Sequence, residues 1–141
     1  MNQIDPNFDW VSARAACTPE QAFELLRNQV KADVERRMEL RSPKELQFQV
    51  TFGFEESKKA FKVSRISDFS ILENATFSFT EDGISVQYAP KMNIRSIDST
   101  STLSNEGECK LKVSNDEEYF FWQFRKMALE RILFSAGQIG F

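Results

Sequence analysis

The stretch that decides how this chain is read is ELQFQVTFGFEE, residues 45–56. Leu46, Phe48, Val50, Phe52 and Phe54 occupy every second position, and Gln47, Gln49, Thr51 and Gly53 fill the gaps. Successive side chains of a strand point to opposite faces, so this alternation predicts a strand with one apolar and one wet side. The chain carries 14 Phe in 141 residues, enough to ask whether the rings fill a core or wall a binding space.

Downstream, the same period continues through Phe61 and Val63, Phe77 and Phe79, Ile84, Val86 and Tyr88, Met92 and Ile94, and Cys109, Leu111 and Val113. Residues 44–113 are therefore expected to form a sheet of about six strands. Glu81-Asp82-Gly83 and Asn105-Glu106-Gly107 have the chemistry of tight turns, so neighbouring strands should pair antiparallel. The Ser/Thr-rich segment 95–107 reads as a strand running into a loop. Gln47, Gln49, Thr51, Lys62, Ser64, Ser78, Ser85, Gln87, Asn93, Arg95, Lys110 and Lys112 make up the wet face.

Upstream, the period changes to that of a helix. Thr18, Pro19 and Gln21 supply an N-cap, a proline at the first helical position and a capping-box partner. Phe23, Leu26, Val30, Val34 and Met38 then form one stripe, and Ser42-Pro43 ends the helix near residue 40. Asp33 is expected to pair with Arg36 or Arg37. Before this helix, FDWVSARAA (8–16) reads as a short strand. At the other end, Ser114 with Glu117 reads as a capping box, and residues 115–133 as a helix apolar on more than one side.

The chain length suits one domain, residues 1–141, with 1–7 and 135–141 loose. A net charge of -3 and a pI near 5.1 argue against strong attraction to phosphate backbones or anionic lipid, and the rings alternate away from the basic sheet face. Nucleic acid is an unexpected partner, and no apolar run reaches the ~18 residues of a membrane span. Without a basic, apolar leader pattern near Met1, the expected location is cytoplasmic. Cys17 and Cys109 form no CxxC pair and are accordingly expected as free thiols.

The chain has no histidine, which removes His-based nucleophile activation and His-ligated zinc. No phosphate-cradling glycine motif occurs. The acidic clusters Glu55-Glu56, Glu81-Asp82 and Asp116-Glu117-Glu118 sit at expected strand ends, turns and caps. No catalytic residue, metal ligand or cofactor is nominated.

The whole reads as an α+β fold: an antiparallel sheet covered on one face by a long helix in the N-terminal half and by a C-terminal helix. The order strand, helix, about six strands, helix resembles the helix-grip layout of START-like domains. ACTPEQAFELL (16–26) after a first strand is similar to the way such domains enter their first helix. The resemblance implies an apolar pocket between the sheet and the last helix, bordered here by Phe52, Phe54, Phe77, Phe79, Tyr88, Phe121 and Trp122. Two functional expectations follow. One is non-catalytic binding of a small hydrophobic ligand in that space. The other is a protein-interaction or self-associating role for the apolar C-terminal helix, with a protein partner or a homodimer.

Overall fold

A computed structural model describes residues 6–67, 70–89, 96–114 and 116–135. Seven strands form one antiparallel sheet in chain order: β1 (Gln49–Glu55), β2 (Ala60–Ser67), β3 (Ser70–Phe79), β4 (Gly83–Ala89), β5 (Ile97–Leu103), β6 (Cys109–Val113) and β7 (Glu118–Tyr119). Three helices accompany them: α1 (Trp10–Ala16), α2 (Pro19–Glu39) and α3 (Phe121–Glu130), the last continued by a wider turn over Arg131–Ser135. The α+β class and the antiparallel sheet agree with the sequence reading. The seventh strand, β7, exceeds its count of about six. The expected strand around Met92 and Ile94 lies outside the described residues.

α2 forms where its signals put it. Thr18 accepts a hydrogen bond from the Gln21 amide, Pro19 opens the helix, and Phe23, Leu26, Val30 and Val34 are buried against the sheet. The strands place their alternate residues beneath this stripe. Val50, Phe61, Val63, Ala75, Phe77, Ile84, Val86 and Leu111 are all buried. Four aromatic contacts tie β1, β2, β3 and α2 together. The Phe61 ring stacks on Phe77 at 4.7 Å, and Phe23 and Phe52 pack against Phe61 at 5.3 and 5.6 Å. Phe79 meets Phe23 edge-on at 5.9 Å.

Gly83 serves a purpose other than turn geometry. The hairpin closes through Thr80, whose amide donates to the Gly83 carbonyl and whose hydroxyl accepts from the Gly83 amide. A Cβ on Gly83 would run into the Ser99 carbonyl, so glycine here permits the close approach of β5 to β4. In the β5–β6 turn, by contrast, Gly107 has φ 82°, the left-handed conformation that favours glycine. Residues 97–103 of the Ser/Thr-rich segment are strand, paired with both β4 and β6, and a turn follows, as expected.

Four expectations are corrected. Residues 10–16 are a helix, because Asp9 caps it through hydrogen bonds from the Ser12 amide and hydroxyl at 3.0 and 2.6 Å. Those bonds outweigh a strand preference whose alternation Val11, directly after Trp10, already breaks. Cys17 and Cys109 are not free but form a disulfide with Cα atoms 5.4 Å apart, joining the α1–α2 junction to β6. Sequence separation hid this pairing, since the two residues meet only once the sheet is folded. The last helix starts at Phe121 and not at residue 115: Val113 and Glu117 close a turn around Asp116, φ 65°, and Glu118–Tyr119 then pairs with β6. Gln123, accepting from the Phe120 amide at 2.9 Å, takes the capping part that Glu117 was expected to play. Finally, Asp33 pairs with Arg125 of α3 at 2.6 Å, while Arg36 pairs with Glu39 and Arg37 with Glu45.

α2 and α3 lie side by side on the apolar face of the sheet. Arg125, early in α3, also donates to Gln29, and Arg37 donates to the Leu133 carbonyl beyond the end of α3, so the two helices run in the same direction. No helix among the described residues is long and apolar enough to cross a membrane.

Candidate functional site

The seven residues expected to border a pocket fall into three groups. Phe52, Phe77 and Phe79 belong to the aromatic cluster under α2, where they pack on other rings, and the Lys59 ammonium also lies 5.0 Å from the Phe79 ring centre. Phe54 stands on the same face but at its rim, 40% exposed, with the Arg27 guanidinium 4.5 Å from the ring centre. Phe121 and Tyr88 are held by α3: Phe121 is buried, and the Tyr88 hydroxyl donates to the Ala128 carbonyl at 2.8 Å. Burial of this phenol pushes its pKa up to about 12. Trp122 does not join them. One step along the helix turns it outward, and it is 56% exposed.

Trp122 marks a different site. A groove of about 390 Å3 runs between the solvent sides of α2 and α3, lined by Leu40, Trp122, Leu129, Leu133 and Phe134 among apolar residues. Leu40 and Phe134 are more than half exposed. Trp122 and Lys126 also border a second hollow of about 360 Å3, together with Tyr119, Gln123 and Met127. The apolar surface thus continues across α3 and is not confined to one notch. An exposed, contiguous apolar area rimmed by charge is the feature that marks interaction surfaces, whereas scattered exposed apolar residues need no explanation.

The groove floor is tied together by charged groups. Arg37 is buried, and its guanidinium is sandwiched between the rings of Phe48 at 4.4 Å and Phe134 at 4.8 Å. It donates to the Leu133 carbonyl and to Glu45, both at 2.7 Å. The bond from Arg37 holds the Glu45 carboxyl below its usual pKa, so the pair stays charged. Arg125, clamped by Asp33 and Gln29, ties the other end of the groove. Two exposed ion pairs, Arg36 with Glu39 and Lys126 with Glu130, flank the opening.

Sequence reading placed Trp122 among pocket-lining residues and missed Leu40, Arg37 and Phe134. Leu40 lay at the expected end of its helix and Phe134 just past the expected end of the last one. A signal was present: Trp122 and Lys126 fall one turn apart on α3, off the stripe of Phe121, Phe124 and Ala128 that is buried. On the sheet's wet face, Lys110 is covered by the Phe120 ring at 4.3 Å and approaches Glu106 at 3.6 Å. Among the described residues no group of three or more Cys, Asp or Glu is placed to hold a metal ion. The chain matches no family model, no curated protein and no solved structure.

Proposed function

We propose that this chain is a non-catalytic interaction module that receives an apolar segment of another protein in the groove between α2 and α3. The observation that carries the reading is the exposure of Trp122, Leu40 and Phe134 around one groove whose floor is fixed by the Arg37 and Arg125 bonds. A preformed apolar groove with charged rims suits an amphipathic helix, which presents anchors at helical spacing. Large aromatic side chains such as Trp122 carry a disproportionate share of binding energy at such sites.

The alternative, a small hydrophobic ligand held in a helix-grip arrangement beneath α3, asks for open space between that helix and the sheet. Phe124 and Ile132, both fully buried, and the Tyr88 bond to Ala128 occupy this region with protein atoms, which favours the groove instead. The Cys17–Cys109 bridge favours an oxidising compartment over the cytoplasmic location expected from sequence.

The test compares proteins captured from the native host by the parent chain, by the double variant Trp122→Asp with Phe134→Asp, and by Leu25→Asp. Leu25 is exposed on α2 but does not line the groove. A partner retained by the parent and by Leu25→Asp, and lost from the double variant, supports the reading. Equal capture by all three proteins overturns it, as does a hydrophobic small molecule co-purifying with the parent in native mass spectrometry.

A further inference from the structure

The two edges of the sheet are finished differently. β7 is two residues long, too short to template another strand. β1 is seven residues long, pairs with β2 in unbroken register from Gln49↔Ile66 to Glu55↔Ala60, and among the described residues has no strand on its other side. Alternate main-chain amides and carbonyls of such an edge point away from the sheet. Natural edges are blunted by lysine, proline, a bulge or a covering element; β1 contains no lysine and no proline, and its register carries no bulge.

Gly53 adds an independent observation. It sits in the middle of β1 without a left-handed φ, and a Cβ built there meets nothing within 4 Å. Neither turn geometry nor crowding inside the chain calls for glycine at a position where it weakens the strand. A hollow of about 340 Å3 beside it extends over the sheet toward Lys62 of β2 and Thr76 of β3, and so belongs to the sheet surface and not to the free edge. Without a side chain here, the wet face of the edge strand carries no bulk opposite an incoming strand.

We infer that β1 is a docking edge for the β1 strand of a second copy, paired antiparallel about a two-fold axis at Phe52, so that two sheets join into one. The occupant follows from the order of residues along the strand. Centring on Phe52 sets Val50 opposite Phe54, Phe52 opposite itself, Thr51 opposite Gly53 and Gln49 opposite Glu55. Apolar residues then meet apolar ones on the helix-covered face, including the exposed Phe54, and the one charged side chain of the strand meets an amide. Like charges, which destabilise cross-strand pairs, are never opposed. Moving the axis by one residue leaves part of the strand unpaired. The contact is isologous and closes on itself, as a two-fold dimer requires.

The test is sedimentation of the full chain at high micromolar concentration, with far-UV circular dichroism as a check on folding. The parent is expected to be a dimer. Thr51→Lys with Gly53→Lys opposes two lysine pairs across the axis and is expected to give a folded monomer, since both positions face water in the single chain. Thr51→Lys with Gly53→Glu sets opposite charges in the same two pairs and is expected to restore the dimer. A monomeric parent overturns the inference, as does a dimer that survives the two lysines or a charge-swapped variant no more dimeric than the lysine one. Trp122→Ala separates this edge from the groove: it leaves the dimer intact here, and its loss on that substitution would move self-association to the groove.

Discussion

Two sets of aromatic side chains in this protein share a composition and differ in fate. Phe23, Phe61 and Phe77 lie between α2 and the sheet in mutual contact, whereas Trp122 and Phe134 stand on the outside of the helical layer, each more than half exposed. The first set comes from strand alternation and a helix stripe that face each other, so its rings satisfy one another. The second comes from helix positions at the groove between α2 and α3, where the described residues cover each ring on one side only and leave more than half of it exposed. Richness in phenylalanine therefore has two meanings in one molecule, and the neighbouring element decides which applies.

The largest effect expected from breaking this contrast is in the closed set. Phe77→Ala removes a fully buried ring stacked on Phe61 and should destabilise the fold by about 3–5 kcal/mol in urea or guanidinium unfolding. Removing the bridge that ties α1 and α2 to the closed side, by Cys17→Ser with Cys109→Ser, should lower stability by about 2–4 kcal/mol, and reductant should reproduce the loss in the parent.

Tyr88 tests the boundary between core and α3 through pH. An unfolded phenol loses its proton near 10, while the folded one holds it until about 12. Below pH 10 both states are protonated and the contribution is complete. As pH rises through this window the unfolded chain ionises first, so stability falls. Tyr88→Phe should lose about 1 kcal/mol at neutral pH with the hydrogen bond to Ala128, and show a shallower loss above pH 10 than the parent. The smallest effect belongs to the open set. Trp122→Ala should change stability by less than about 0.5 kcal/mol, because the ring has few partners within the chain. A large destabilisation on this substitution would place Trp122 with the closed set and remove the groove's main anchor.

Much of the fold was legible from local pattern. The Thr18-Pro19 start, the stripe from Phe23 to Val34, the alternation from Val50 to Phe54 and the two glycine turns all became the elements their spacing predicts, since each depends on residues close in the chain, whereas Leu46 and Phe48, which continue that alternation, precede β1 in the turn after Pro43–Glu45. The readings that failed concern places where a local signal was weak or was outbid by its neighbours. At residues 8–16 one aspartate cap outweighed an irregular alternation, and at residues 115–120 a two-residue pairing with β6 replaced the expected first turn of the last helix.

The sequence by itself determined the α+β class, the antiparallel pairing and the identity of the face that turns inward, because periodicity and turn chemistry act over a few residues. Tertiary structure alone decided that Cys17 reaches Cys109, that Asp33 bonds Arg125 and not its helix neighbours, and that Trp122 faces out beside Leu40 and Phe134. Those outcomes depend on which surfaces of distant segments come to lie against each other, and chain spacing carries no information about an approach made only after the sheet and both helices have packed.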